Sequence, residues 1–166
     1  VFELFRKAPE RFLGTVLSST RAGPDSAEAK RNRYALRERV LKEGVGFLPE
    51  ALLPSHLGRT TQATKPEVVE KARAIILEAS PEAVAETLVA LAERPDSTPL
   101  LSRMQVPALV LVGEEDTLTP PEEARRMWKA LPDARMLILP ETGHLANLEN
   151  PKAFRTALLG FLAEFF

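Results

Sequence analysis

The sequence predicts an α/β fold of parallel strands with flanking helices and a helical cap insert. Three observations carry that prediction. The run Ala108–Val112 is apolar without alternation, as in a strand buried on both faces of a helix-covered parallel sheet. Strand and helix patterns alternate along the second half of the chain. The connection between the first strand pattern and Ala108 is several times longer than the dozen or so residues a parallel crossover needs.

The elements follow in order. Val1–Lys7 has apolar residues at helical spacing, and Pro9 ends the helix. Residues 12–19 are apolar, β-branched and closed by Ser and Thr, which predicts a strand. Gly23-Pro24 marks a loop. Ala27–Lys42 is a helix stopped by Gly44 and Gly46, and 47–53 is a short helical segment bounded by Pro54. Thr64-Lys65-Pro66-Glu67 has capping-box spacing and opens a helix that runs to Glu78. Ser80-Pro81 opens the next, and Asp96 or Ser97 caps a turn with Leu100 and Leu101. After the strand at 108–112, Thr119-Pro120-Pro121-Glu122 is a second capping box. Its helix ends at Pro132-Asp133, a strand at 135–139 follows, and Asn150-Pro151 caps a last helix with Phe154, Leu158, Phe161 and Phe165 on its apolar face.

Composition narrows the function. At 166 residues the chain suits one domain with a real core. A net charge of -1 gives no reason to expect nucleic acid or an anionic membrane as partner. No apolar run approaches the roughly 18 residues of a membrane span, and no signal peptide stands at the start. The absence of cysteine excludes disulfides, thiolate metal sites and a cysteine nucleophile in these residues, and fits a reducing cytoplasm. With two histidines far apart, no catalytic zinc is expected, and no other cofactor. The first residue is Val1 and the chain opens inside a helix without a cap. A fragment, a processed product or the ordered part of a longer protein is therefore expected.

The long crossover leaves the carboxyl edge of the first strand, where open α/β sheets bind ligands. A helical cap over approximately residues 25–95 is expected above that edge. Asp116 lies just past the strand at 108–112, and His144 just past the strand at 135–139. The short crossover between those strands sets both loops on one edge, so the carboxylate and the imidazole can meet. A carboxylate on one ring nitrogen fixes the tautomer and leaves the other nitrogen to take a proton from a nucleophile. The bland readings are an ordinary polar loop at Gly113–Asp116 and an ordinary turn at Gly143-His144, and spacing alone does not choose. Glu114 and Glu115 are alternative acids. Ser18, Ser19 and Thr20 are weaker nucleophile candidates, better read as strand-end hydroxyls that cap backbone groups. His56 falls in the cap and reads as a surface or satisfied histidine. Trp128 reads as packing its helix on the sheet. The charges at 28–43 read as a solvated helix face.

Val106-Pro107 through Gly113-Glu114-Glu115-Asp116 to Pro120, followed by Gly143-His144-Leu145-Ala146-Asn147-Leu148-Glu149-Asn150-Pro151 and Phe154, resembles the C-terminal half of an α/β-hydrolase. The resemblance is to the serine esterase and 3-oxoadipate enol-lactonase branches, and it extends over essentially the whole chain. It implies that residues 1–166 are the C-terminal half of one α/β-hydrolase domain, with the cap inserted between strands 12–19 and 108–112. It implies Asp116 and His144 as catalytic acid and base, in the family's chain order of nucleophile, acid and histidine. The intact protein would be a serine hydrolase acting on an ester, a lactone or a similar small acyl substrate. The family's Gly-x-Ser-x-Gly elbow is not in these residues, nor is the loop that donates an oxyanion-hole amide. By itself the chain is therefore expected to be inactive, with its open strand edges covered by the missing N-terminal half or a second copy. The same fold also admits a haloalkane dehalogenase or a cofactor-free haloperoxidase, decided by the nucleophile. From another class, it admits a non-catalytic truncated module kept for binding or assembly.

Overall fold

A computed structural model of the chain describes residues 1–165. Its centre is a three-stranded, fully parallel sheet in the order β1 (Thr15–Ser18), β2 (Ala108–Gly113), β3 (Ala134–Leu139). Thr15 pairs with Ala108, and Ala108 with Ala134, so the three strands start level, while β2 and β3 run two residues beyond the end of β1. All six residues of β2 are buried. Leu17, Ala108, Val110, Val112, Met136 and Ile138 face one layer, built from α1 (Phe2–Lys7), α7 (Thr98–Leu101) and α8 (Pro121–Ala130). Val16, Leu109, Leu111 and Leu139 face the other layer, built largely from α10 (Pro151–Phe165). Helices on both faces are why β2 does not alternate. β3 lies at an edge and its burial does alternate.

Between β1 and β2 the chain inserts five more helices: α2 (Ala27–Glu43), α3 (Leu48–His56), α4 (Arg59–Thr64), α5 (Pro66–Leu77) and α6 (Pro81–Ala92). α2 packs on α6, and α3 on α5. A small core of Leu53, Leu57 and Ala72 seals the second pair, and Leu145, from the loop after β3, packs into it. The remaining helix, α9 (Ala146–Glu149), sits in that same loop.

Several local expectations give way to tertiary structure. The first strand is shorter than residues 12–19, because Phe12 turns away to pack edge-on against Phe5, ring centroids 5.3 Å apart. α3 does not stop at Pro54 but runs through it to His56. Neither Thr-x-x-Glu box forms. Thr64 is the last residue of α4 and its hydroxyl donates to the Thr60 carbonyl at 2.7 Å, while the Thr119 hydroxyl is engaged with Asp116. The cap expected at Ser80 does form, its side-chain oxygen accepting the Ala83 N–H at 3.1 Å, and Ser26, not singled out in the sequence, caps α2 in the same way through the Ala29 N–H at 3.1 Å. Asp96 caps α7 by accepting the Thr98 N–H at 2.9 Å, and Ser97 does not.

Candidate active site

Asp116 and His144 leave the carboxyl ends of β2 and β3, and the two loops are bonded to each other. The Glu114 N–H donates to the Leu139 carbonyl and the Glu115 N–H to the Thr142 carbonyl, both at 2.8 Å. Gly113 makes that approach possible. A Cβ there would stand 2.2 Å from the carbonyl oxygens of both Thr142 and Gly143.

In this frame His144 Nδ1 lies 2.9 Å from Asp116 Oδ2. An ionised carboxylate can only accept, so the ring donates through Nδ1–H, and Nε2 is left outside that bond. Asp116 is itself held. Oδ1 accepts the backbone N–H of Leu118 at 3.0 Å and of Thr119 at 2.9 Å, and Oδ2 accepts the Thr119 hydroxyl at 2.8 Å. Its side chain is fully buried and the His144 side chain is 22% exposed, so the imidazole is reachable and the carboxylate is not. Burial alone would push the Asp116 carboxyl up. The bonds from His144 and Thr119 outweigh it and hold the group below the usual carboxylate range. Among the described residues nothing hydrogen-bonds to His144 Nε2. A buried carboxylate behind a reachable imidazole is the arrangement that lets the ring accept a proton and stabilises the imidazolium that results.

The other candidates separate cleanly. Glu115 is bonded to the insert and not to His144. Its carboxylate accepts the Thr60 N–H at 2.8 Å, the Thr60 hydroxyl at 2.7 Å and Arg59 Nε at 3.1 Å, which fastens the start of α4 to the acid loop. Glu114 accepts only the Glu141 N–H, at 3.3 Å. No hydrogen bond joins Ser18, Ser19 or Thr20 to His144. The Ser19 hydroxyl caps nothing either: it is buried without a partner among the described residues, and its backbone has φ 44. Trp128 is 40% exposed and donates its indole N–H to the Ala134 carbonyl at 2.9 Å, an edge contact to β3.

His56 is half-buried, with Nδ1–H given to the Leu52 carbonyl at 2.8 Å. Its ring stands edge-on to His144, centroids 5.7 Å apart. Burial first, and then the neighbouring His144 imidazole, push its pKa below the ordinary histidine value. Two groups that sequence reasoning did not assign also belong here. Thr119 was read as a helix cap, yet its hydroxyl serves Asp116. Glu149 is 2% exposed and binds three backbone N–H groups around His144. A polar residue five positions after the histidine and directly before Asn150-Pro151 was the only trace of it in the sequence. Among the described residues no group of three or more His, Asp or Glu is arranged to hold a metal ion. Nor is any described helix long and apolar enough to cross a membrane.

Residues 6–157 match the model of a family described as the alpha/beta hydrolase family. The chain is 28% identical over 157 residues to 3-oxoadipate enol-lactonase 2 of Acinetobacter baylyi, covering 95% of this chain and 57% of that protein. A thermophilic esterase from Thermogutta terrifontis, solved with malate bound, superposes with a TM-score of 0.96 at 43% identity, over 99% of this chain and 60% of its own. The enol-lactonase of Burkholderia xenovorans LB400 superposes with a TM-score of 0.86 at 26% identity, over 98% of this chain and 60% of its own. The chain thus spans about three-fifths of the length of the relatives it matches.

Proposed function

The chain belongs to the alpha/beta hydrolase family, and from that premise we propose that it supplies the acid and the base of a serine hydrolase acting on an ester, a lactone or a similar small acyl substrate. The observation that carries this reading is the 2.9 Å bond from a reachable His144 to a buried, multiply held Asp116. In the proposed reaction His144 Nε2 takes the proton of a hydroxyl nucleophile lying outside residues 1–166. The nucleophile oxygen bonds to the acyl carbon, and His144 returns the proton to the departing alkoxide. It then deprotonates water for the second attack, which frees the acid and restores the nucleophile. Asp116 holds the ring and stabilises the imidazolium in both halves. The esterase and the two enol-lactonases among the similar proteins support this substrate class.

The helical insert between β1 and β2 acts in this proposal as the cap over the site. The rest of the catalytic fold would cover the open side of β1. A groove of about 710 Å³ runs along that side, lined by Leu4, Phe12, Leu13 and Val16 among others, with Leu13 75% exposed. A fold segment or a second copy seated there would remove an unpaired strand edge. The absence of cysteine supports a cytoplasmic setting.

The test is turnover of p-nitrophenyl acetate and butyrate by the protein that carries the nucleophile. His144→Ala is expected to lose at least about 10³-fold in kcat with an unchanged circular dichroism spectrum. Retained turnover would remove His144 from the role of base. A second reading, halide oxidation, is supported by 40% identity over 65 residues to a bromoperoxidase, BpoC, of Mycobacterium tuberculosis. Bromination with peroxide and bromide in the absence of ester turnover would favour it. Neither activity, with the fold intact, would leave a non-catalytic binding or assembly module.

A further inference from the structure

Glu149 joins the loop that carries His144 to the helical insert between β1 and β2. Its Oε2 accepts the Gly143 N–H at 3.0 Å and the Gly58 N–H at 2.8 Å, and its Oε1 accepts the Leu145 N–H at 3.0 Å. Gly143 and Leu145 flank His144 on both sides. Gly58 belongs to the insert, at the turn between α3 and α4. One carboxylate therefore fixes the peptide before the base, the peptide after it, and the insert above it. The same seam is sewn elsewhere. The N–H groups of His144 and Leu145 donate to the His56 carbonyl at 3.2 and 3.3 Å, and Lys65 Nζ donates to the Glu149 carbonyl at 2.8 Å. Contact there leaves no room for a side chain: a Cβ on Gly143 would stand 2.1 Å from the Gly58 nitrogen.

A buried carboxylate that spends both oxygens on backbone donors costs desolvation, and a short polar turn needs no such device. Leu145 adds a hydrophobic anchor, since it packs with Leu53 and Leu57 of the insert. We propose that Glu149 is a positioning residue which locks the His144 loop to the 56–60 segment of the insert, so that the base and the roof of the site move as one body. The inference rests on His144 being the base. It goes further by making residues 56–60 a fixed wall of the site, leaving α2 and α6 as the part of the insert able to move when substrate enters.

The sequence logic fits. Glu149 sits at the end of α9, whose single turn brings the carboxylate back under Gly143 and Leu145. Asn150 then starts α10, its side chain accepting the Ala153 N–H at 3.3 Å. The histidine loop, the glutamate and the start of α10 form one compact unit. Nothing local demands a glutamate there; the need arises from the partners it meets across the seam.

The experiment compares Glu149→Gln and Glu149→Ala with the parent in the full-length enzyme, using p-nitrophenyl butyrate. A one-ångström misplacement of a reacting group costs on the order of 10²-fold in rate. The expected result is a kcat loss of about 10-fold for Glu149→Gln, which keeps the shape and part of the bonding, and about 100-fold for Glu149→Ala, with KM within about threefold of the parent in both. A kcat within twofold of the parent in Glu149→Ala would overturn the proposal, as would a loss expressed only in KM. His144→Ala, run in parallel, separates the failures: activity there overturns the base itself, whereas an inactive His144→Ala beside a fully active Glu149→Ala overturns only the lock. If neither Glu149 variant folds, hydrogen exchange of the parent decides. The amides of Gly58, Gly143 and Leu145 are expected to exchange through one shared opening, with protection within about threefold of each other. Exchange of Gly58 more than tenfold faster than the other two would show that the insert opens without the base loop, and the lock would be wrong.

Discussion

Replacing Gly143 with alanine tests how tightly the insert is seated on the base loop. The added Cβ would lie 2.1 Å from the Gly58 nitrogen, 2.7 Å from the Leu57 carbonyl carbon and 2.8 Å from the Gly58 Cα. All three are backbone atoms, so no side chain can swing aside. Ordinary contact begins near 3.4 Å, and the two backbones must therefore part by about 1.3 Å. That movement carries the Gly58 and Gly143 N–H groups, now 2.8 and 3.0 Å from Glu149, out of good hydrogen-bond range on at least one side. A bond to a charged group contributes about 1.5–3 kcal/mol, and overpacking a tight contact costs about 1–3 kcal/mol. The expected destabilisation is about 4 kcal/mol, or about 8–16 °C in Tm for a protein of this size class. Differential scanning calorimetry measures it directly. Gly23→Ala is the control, because a Cβ there meets nothing within 4 Å and its φ is not positive. Its Tm is expected to stay within about 2 °C. Equal, small shifts in both variants would refute the close seam between residues 58 and 143.

Three other outcomes are expected. Asp116→Asn replaces an acceptor with a group that can donate to Nδ1, favours the wrong tautomer, and should lower kcat by about 10⁴-fold on ester substrates with little change in KM; a loss under tenfold would show that the carboxylate does not orient the base. Asp25 is buried among Arg21, Arg33 and Arg94; burial raises its carboxyl, the bond and charge of Arg33 and the charges of Arg94 and Arg21 outweigh this, and it is held below the usual range, as Asp116 is. A carboxyl with a depressed folded pKa adds stability that is present above its unfolded value, near 3.9, and is lost as pH falls through the lower folded value, so urea denaturation should show stability dropping below about pH 4, and Asp25→Ala should cost about 3–5 kcal/mol at pH 7 by leaving three guanidinium groups without their carboxylate. His56, held below the ordinary histidine value, binds fewer protons folded than unfolded, so it removes stability as pH falls below about 6.5; its Cε1–H resonance should titrate with a midpoint below that, and a midpoint above 6.5 would contradict its burial beside His144.

What the sequence revealed and what it hid follow from the range of the interactions. The unbroken apolar run of β2 announces a strand covered on both faces, because burial of each side chain is recorded at its own position. Asp116 and His144 could be raised as a candidate pair because each follows a strand and a glycine by a few residues, and parallel strands deliver their ends to one edge, but the choice of them over an ordinary loop and turn comes from the family resemblance. Thr119 was misread for a physical reason. Thr-Pro-Pro-Glu is a good local cap, but a buried carboxylate three residues earlier takes the hydroxyl instead. The Thr64 box failed in the same way: α4, hidden in a polar Arg-Thr-Thr-Gln stretch, uses the Thr64 hydroxyl for its own last turn. In the sequence Glu149 is a motif residue without a role of its own, and Glu115 is an alternative to Asp116 as the acid. Their partners are Gly58 and Thr60, many residues away across the long insert, and no local pattern encodes such a meeting. The buried Asp25 among three arginines belongs to the same class, with Arg94 arriving from the far end of the insert.

The central claim is that His144, set by Asp116, activates a nucleophile for attack on an acyl-type electrophile. Labelling of the full-length protein by a fluorophosphonate tests it most directly, because the label reports proton removal from the nucleophile without needing the right substrate. One equivalent of label is expected, with a rate reduced by at least about 10²-fold in His144→Ala at unchanged Tm. Labelling of His144→Ala at the parent's rate would contradict the account.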